Sequence, residues 1–274
     1  MPMLEYSLPG STETYTATVD APKSKASTGI ILGHGAGGNS SSGHLPKIAL
    51  ACSDAGILCV RFDCKPPNLA KRVAHAEACL MSAQKRFSVR RWIAAGHSMG
   101  GRVASAVAHA HPDTVKAAIF FSYPLHPPGK LEQLRDSPLV DLQQPVLFIR
   151  GTRDSFSEEQ QFETVLKRMT SPRMEVHRVE GGDHGLKVKG GKAAVEAAVR
   201  EAVDAAVSFA QDTLHGPAGS EAPSHARLEN SAAQPTGQKG VKRKGVTGTD
   251  AEKKVTAAGK GQKAKASQRK RTRT

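Results

Sequence analysis

The chain of 274 residues is long enough for one large domain or two small ones, and it has no apolar run of membrane-spanning length. Its net charge of +14 is uneven: from Gly216 on, 14 Lys/Arg face 4 Asp/Glu, and no aromatic follows Phe209. The expectation is a folded domain over residues 1–214, large enough to bury a core without disulfides or metal, followed by a disordered basic tail over 215–274.

The chain opens on Met1-Pro2-Met3-Leu4-Glu5-Tyr6, with neither a basic nor an apolar region of the kind a secretory signal needs, so none is expected. Thr14 to Val19 alternates polar and apolar residues and reads as an edge strand. Gly29 to His34 is a buried-type strand that runs into Gly35-Ala36-Gly37-Gly38-Asn39. Leu45 to Ala55 has the spacing of a short amphipathic helix, and Ile57 to Phe62 that of a strand. Asn68 to Phe87 predicts a longer helix, with Leu69, Val73, Ala76 and Leu80 along one face. Cys52, Cys59, Cys64 and Cys79 match no zinc spacing and read as reduced, buried thiols; no metal or cofactor is expected.

Trp92 to Ala95 is another buried-type strand. It meets Gly96-His97-Ser98-Met99-Gly100 and then becomes a helical pattern with Val103, Ala104, Val107 and Ala108 on one side. Strand, sharp turn and helix, with serine at the apex, is the context of a nucleophile elbow. Glycines two residues before and after the serine fit where larger side chains would crowd the turn. The bland alternative is a small-residue turn between a strand and a helix.

Val115 to Phe121 is the next strand, and a proline-rich stretch follows, Tyr123-Pro124-Leu125-His126-Pro127-Pro128. The strands at Val146–Ile149 and Met174–Val179 and a helix from Lys192 to about Asp212 complete the pattern. Strands alternating with helices imply a mostly parallel sheet covered on both faces.

A serine hydroxyl needs an imidazole to take its proton and a carboxylate to orient that imidazole. In a parallel sheet such groups come from loops beyond the strands' carboxyl ends. Gly151-Thr152-Arg153-Asp154 lies beyond one strand and Gly181-Gly182-Asp183-His184 beyond the next. The expected set is therefore Ser98, Asp154 and His184, in the chain order this architecture uses. Asp154 is equally placed to cap a helix starting near Ser157. Asp183 competes with it, but as His184's neighbour it is poorly placed to reach the ring's far nitrogen. For the oxyanion the expected donors are the backbone amides of Met99 and Ala36. A phosphate cradle is the alternative use of the glycines at 33–38, although no Gly-Lys-Ser/Thr follows them.

The blocks Gly-His-Gly-Ala-Gly-Gly, Arg61-Phe62-Asp63-Cys64-Lys65, Gly-His-Ser-Met-Gly-Gly-Arg, Tyr-Pro-Leu-His-Pro-Pro-Gly-Lys and Gly-Thr-Arg-Asp resemble one branch of the α/β-hydrolase superfamily. That branch contains bacterial hydrolases, a testis-expressed hydrolase-like protein and the hydrolase-like domain of a non-specific-lethal acetyltransferase complex subunit. The resemblance covers about residues 4–213. It implies the α/β-hydrolase fold and carries Ser98, Asp154 and His184 over as the triad of a serine hydrolase. It says little about substrate, since members of the branch are thought to act as scaffolds.

Only residues 122–145 separate two strands between which lids are usually inserted, so no cap domain is expected. An open site walled by Cys64–Pro67 and Tyr123–Pro128 is expected to bind substrate through Lys65, Tyr123 and His126. With Arg153 also nearby, it would suit polar or acidic esters. The tail clusters Lys242-Arg243-Lys244, Lys253-Lys254 and Gln268 to Arg273 read as a nuclear import signal or as phosphate contacts to nucleic acid, which favours the nucleus over the cytoplasm. Two functions are carried forward. One is a serine hydrolase acting on a carboxylic ester or thioester; the other is a non-catalytic interaction protein in a nuclear, chromatin-associated complex.

Overall fold

The computed structural model describes residues 2–65 and 68–215. Its strands are β1 (Met3–Ser7), β2 (Thr14–Asp20), β3 (Thr28–Gly33), β4 (Leu58–Phe62), β5 (Arg91–His97), β6 (Val115–Phe121), β7 (Val146–Gly151) and β8 (Met174–Val179). Its helices are α1 (Leu45–Asp54), α2 (Leu69–Arg86), α3 (Met99–Ala110), α4 (Ser137–Val140), α5 (Glu159–Leu166) and α6 (Gly191–His215). The basic tail and its expected contacts, and Pro66 and Pro67, lie outside the described residues, and no helix among the described residues is long and apolar enough to cross a membrane.

The strands form one sheet in the order β1-β2-β4-β3-β5-β6-β7-β8. β1 and β2 are antiparallel to each other, β2 is antiparallel to β4, and every other neighbour is parallel. β3, β4 and β7 are buried along their whole length, and β6 at all but Lys116, because helices cover both faces, and such strands read as near-continuous apolar runs. Their side chains still alternate. Ile30, Leu32, Ile93, Ala95, Ile119 and Phe121 join one core with α1 and α6. Ile31, Trp92, Ala94, Phe120 and Phe148 join the other with α2, α3 and α5.

β1 lies outside the elements expected from sequence. Only Leu4 and Tyr6 of its five residues are buried, too short a periodicity to stand out. α2 begins where expected, because the Asn68 side chain accepts the Lys71 N–H at 3.2 Å.

β3 and β5 are neighbours whose connections run in opposite directions, β3 on to β4 and β5 on to β6. The crevice this opens at the strands' carboxyl ends is where ligands bind in such sheets. The loop after β3, the turn after β5 and the loops after β7 and β8 all reach that end of the sheet.

Candidate active site

β5 stops at His97 and α3 starts at Met99, which leaves Ser98 alone to reverse the chain. Its φ of 53° and ψ of −117° are a conformation that costs a non-glycine residue on the order of 1–3 kcal/mol. Neighbouring backbone holds it there: Ser98 N–H donates to Phe121 O at 2.9 Å, and Gly101 N–H donates to Ser98 O at 2.9 Å. The turn closes only because two residues lack Cβ. A Cβ on Gly96 would lie 2.2 Å from the Gly100 carbonyl carbon, and one on Gly100 would lie 2.2 Å from Gly33 O.

The hydroxyl thus presented lies 2.8 Å from His184 Nε2. The other ring nitrogen, Nδ1, lies 2.8 Å and 3.0 Å from the two carboxylate oxygens of Asp154. A carboxylate accepts, so Nδ1 carries the proton and Nε2 is free to accept from Ser98. Asp154 is buried, and its Oδ1 also accepts the Phe156 N–H at 2.8 Å. Asp183 is used differently: its Oδ1 accepts the N–H groups of Gly185 and Lys187 at 2.8 and 2.9 Å and so closes the loop that carries His184.

The loops bearing Asp154 and His184 are laced together. A Cβ on Gly151 would lie 2.2 Å from Gly182 O, and that same oxygen accepts the Arg153 N–H at 2.8 Å. Phe156 lies against the His184 ring, with centroids 4.3 Å apart. Two further histidines hold the next carbonyls: His97 Nε2 donates to His184 O at 3.1 Å and His44 Nε2 donates to Gly185 O at 2.8 Å. Sequence reasoning missed both, although His97 sits inside the elbow motif itself. His44 carries no sequence signal, because its partner is a backbone carbonyl far along the chain.

Burial pushes the His97 imidazole down to about 4, so it is neutral at pH 7. Below the usual histidine value of 6.5, the unfolded chain takes up a proton that folded His97 refuses. Stability therefore falls as pH drops from 6.5 toward 4, by about 3 kcal/mol from this group. His34 and His75, also pushed down by burial, steepen the same slope. His97→Gln keeps a side-chain N–H donor but does not titrate, so urea unfolding at pH 7 and pH 4.5 should show a smaller loss for the variant. An equal loss in both proteins would mean that His97 takes no part.

The loop after β3 is fixed from behind. His34 Nε2 accepts the Cys64 N–H at 2.9 Å, so its Nδ1 carries the proton and donates to Gly35 O at 2.7 Å. The buried Arg72 donates to Gly35 O at 3.4 Å and Ala36 O at 3.0 Å. In a trans peptide the N–H points opposite to the C=O, so the Ala36 N–H is directed away from His34 and Arg72. Ala36 borders the cavity, and Met99, which opens α3, has one of the amides that a helix's first turn leaves free of internal partners. Gly33, Gly35 and Gly38 stand at the G-x-G-x-x-G spacing. Their loop reaches a helix only at Leu45, however, whereas a dinucleotide loop runs straight into one.

The cavity over Ser98 has a volume of about 570 Å³. It is lined by the 35–38 loop, by Leu45 and Ile48 of α1, and by Phe121, Phe156, Gly185 and Lys187. Two expected substrate contacts are corrected. Tyr123 is buried, with its hydroxyl donating to Arg135 O at 2.8 Å and burial raising its pKa to about 12. His126 is wholly buried and braces the Asp154 loop, with its N–H donating to Phe156 O at 3.0 Å and its Nε2 accepting the Glu158 N–H at 3.1 Å. Lys65, the third, is exposed but does not line the cavity. The β6–β7 connection holds only the four-residue α4, so no cap domain is inserted there.

Residues 26–211 match the model of a family described as alpha/beta hydrolase domain. Solved structures share the fold. Est1E from Butyrivibrio proteoclasticus is 18% identical over 78% of this chain and 100% of its own, with a TM-score of 0.65. An alpha-beta serine hydrolase homologue from Coxiella burnetii is 18% identical over 76% of this chain and 96% of its own, with a TM-score of 0.60. XC6422 from Xanthomonas campestris, described as an a/b serine hydrolase without lid, is 16% identical over 78% of this chain and 95% of its own, with a TM-score of 0.57.

Proposed function

The chain belongs to the alpha/beta-hydrolase domain family, and from that premise we propose that it is a serine hydrolase acting on a carboxylic ester or thioester through an acyl-enzyme at Ser98. The observation that carries this reading is the hydrogen-bonded line from Ser98 Oγ through His184 to Asp154, with both links at 2.8 Å.

In the first step Ser98 Oγ attacks the carbonyl carbon while its proton passes to His184 Nε2. Asp154 stays ionised and stabilises the imidazolium. The carbonyl oxygen becomes an oxyanion that accepts hydrogen bonds from the Met99 and Ala36 amides. Collapse of this intermediate breaks the bond to the leaving oxygen or sulfur, which takes the proton from His184. Water then attacks the acyl-serine, giving its proton to His184. Breaking the acyl–Oγ bond releases the carboxylic acid and returns that proton to Ser98.

A fluorophosphonate probe tests this directly, because it phosphonylates only a serine activated in this way. The wild-type chain should label at Ser98, and Ser98→Ala should not label. Failure of both proteins to label would overturn the hydrolase reading in favour of the interaction-protein one. That second reading rests on the branch resemblance and on the basic clusters between 242 and 273. With it go a nuclear location and import-receptor or nucleic-acid contacts, all on residues outside those described. The Ser98–His184–Asp154 line favours the enzyme, since a docking surface has no physical need for a strained serine aimed at an imidazole.

A further inference from the structure

The hydrolase reading leaves the substrate open, and the cavity wall narrows it. Apart from histidines, Lys187 is the one ionisable side chain on that wall among the described residues. Its backbone is fixed on both sides, with its N–H on Asp183 Oδ1 at 2.9 Å and its carbonyl accepting the Asp183 N–H at 3.0 Å. Its stem passes 3.9 Å from where a Cβ on Gly185 would sit, directly beside His184. The side chain is exposed, at the mouth of the cavity, and its ammonium has no hydrogen-bond or ion-pair partner among the described residues. The nearest carboxylate along the chain, that of Asp183, is turned toward the Gly185 and Lys187 amides.

The same cavity carries an apolar lining of Leu45, Ile48, Phe121 and Phe156. Its volume of about 570 Å³ accepts a molecule of drug size. An apolar hollow with a single unpaired cation at its mouth favours a ligand that is apolar along its body and anionic at one end. The carboxylates of the site offer a cationic ligand nothing in return, because Asp154 is buried behind His184.

We propose that Lys187 is a specificity residue and that the substrate is an ester or thioester with an apolar body carrying an anionic group, which pairs with the Lys187 ammonium. This rests on the hydrolase reading, and the experiment separates the two. Two matched pairs of esters are compared by kcat/KM. In one pair the charge is on the acyl side (mono-4-nitrophenyl glutarate against 4-nitrophenyl pentanoate). In the other it is on the leaving side (3-butanoyloxybenzoate against phenyl butanoate).

In at least one pair the wild type should prefer the anionic ester, by about three- to tenfold at low ionic strength, with the preference shrinking as salt is added. Lys187→Arg should keep that ratio, Lys187→Ala should bring it near one, and Lys187→Glu should invert it. A wild-type ratio near one in both pairs, or a preference that survives Lys187→Ala, overturns the proposal. Binding of 5-phenylpentanoate against 5-phenylpentanol, read by titration calorimetry, repeats the comparison without turnover. A several-fold preference for the carboxylate that Lys187→Ala removes would sustain the anion site even if no ester is cleaved. Equal binding would end it. Absence of both hydrolysis and probe labelling falls on the hydrolase reading alone.

Discussion

Asp154→Asn should lower kcat on an activated ester on the order of 10⁴-fold, the size of the effect that the same change has in a serine-protease triad, with KM little changed. The geometry supplies the reason. Oδ1 of Asp154 takes the Phe156 N–H as well as facing the ring, while Oδ2 faces only His184 Nδ1. An asparagine keeping the Phe156 bond through its carbonyl oxygen would turn its amide nitrogen to Nδ1. The ring would answer by moving its proton to Nε2, and Ser98 would then face a nitrogen that no longer accepts. Asp183→Asn is the matched control. The backbone amides it holds need only an acceptor oxygen, which asparagine retains, so a loss of about tenfold or less is expected, from small shifts of the His184 loop. Steady-state kinetics of both variants on one ester decide the matter. A crippled Asp183→Asn beside a nearly normal Asp154→Asn would return Asp154 to the role of loop cap.

The second large effect is on folding. Gly96→Ala sets a methyl 2.2 Å from the Gly100 carbonyl carbon and 2.3 Å from its oxygen, and all the atoms it meets are backbone. No rotamer relieves that contact, so the elbow has to open. A cost of about 3 kcal/mol is expected, the upper end of ordinary overpacking. For a domain of this size that corresponds to a fall in Tm of about 6–12 °C. Gly37→Ala makes the useful contrast: its added Cβ meets nothing within 4 Å, so its Tm should stay within about 2 °C of wild type. Thermal unfolding followed by circular dichroism compares the pair. A Gly96→Ala protein as stable as wild type would show that the turn has more room than its interatomic distances allow.

The parts of the site legible in the sequence are those set by the end of a strand. Ser98 and Asp154 each follow a buried apolar run and His184 follows the partly exposed β8, and the structure brings the first two within hydrogen-bond reach of His184. Most strands and long helices were legible for the same reason, a periodicity sustained by burial on one or both faces. What could not be read is where a loop goes once it leaves its strand. Tyr123 and His126 follow β6 as Asp154 follows β7, yet Ser122 takes a φ of 50° and both residues after it end up buried. A glycine there would have announced the change of direction; serine does not. Arg72, His44 and His97 act on backbone carbonyls, and a carbonyl leaves no trace in the identity of the residue that owns it. Lys187 was hidden differently, as one lysine among many, distinguished only by the wall it stands on.

The short β6–β7 connection has a consequence for turnover. A cap has to open and shut in every cycle, and its motion can be slower than bond breaking. With only α4 among residues 122–145, no cap among the described residues stands between this serine and bulk solvent. On the proposed mechanism, the rate of deacylation is then set by which nucleophile reaches the acyl-serine first. Any alcohol or amine present at high concentration competes with water on equal terms of access, so the enzyme would partition its acyl group between hydrolysis and transfer according to the composition of the medium.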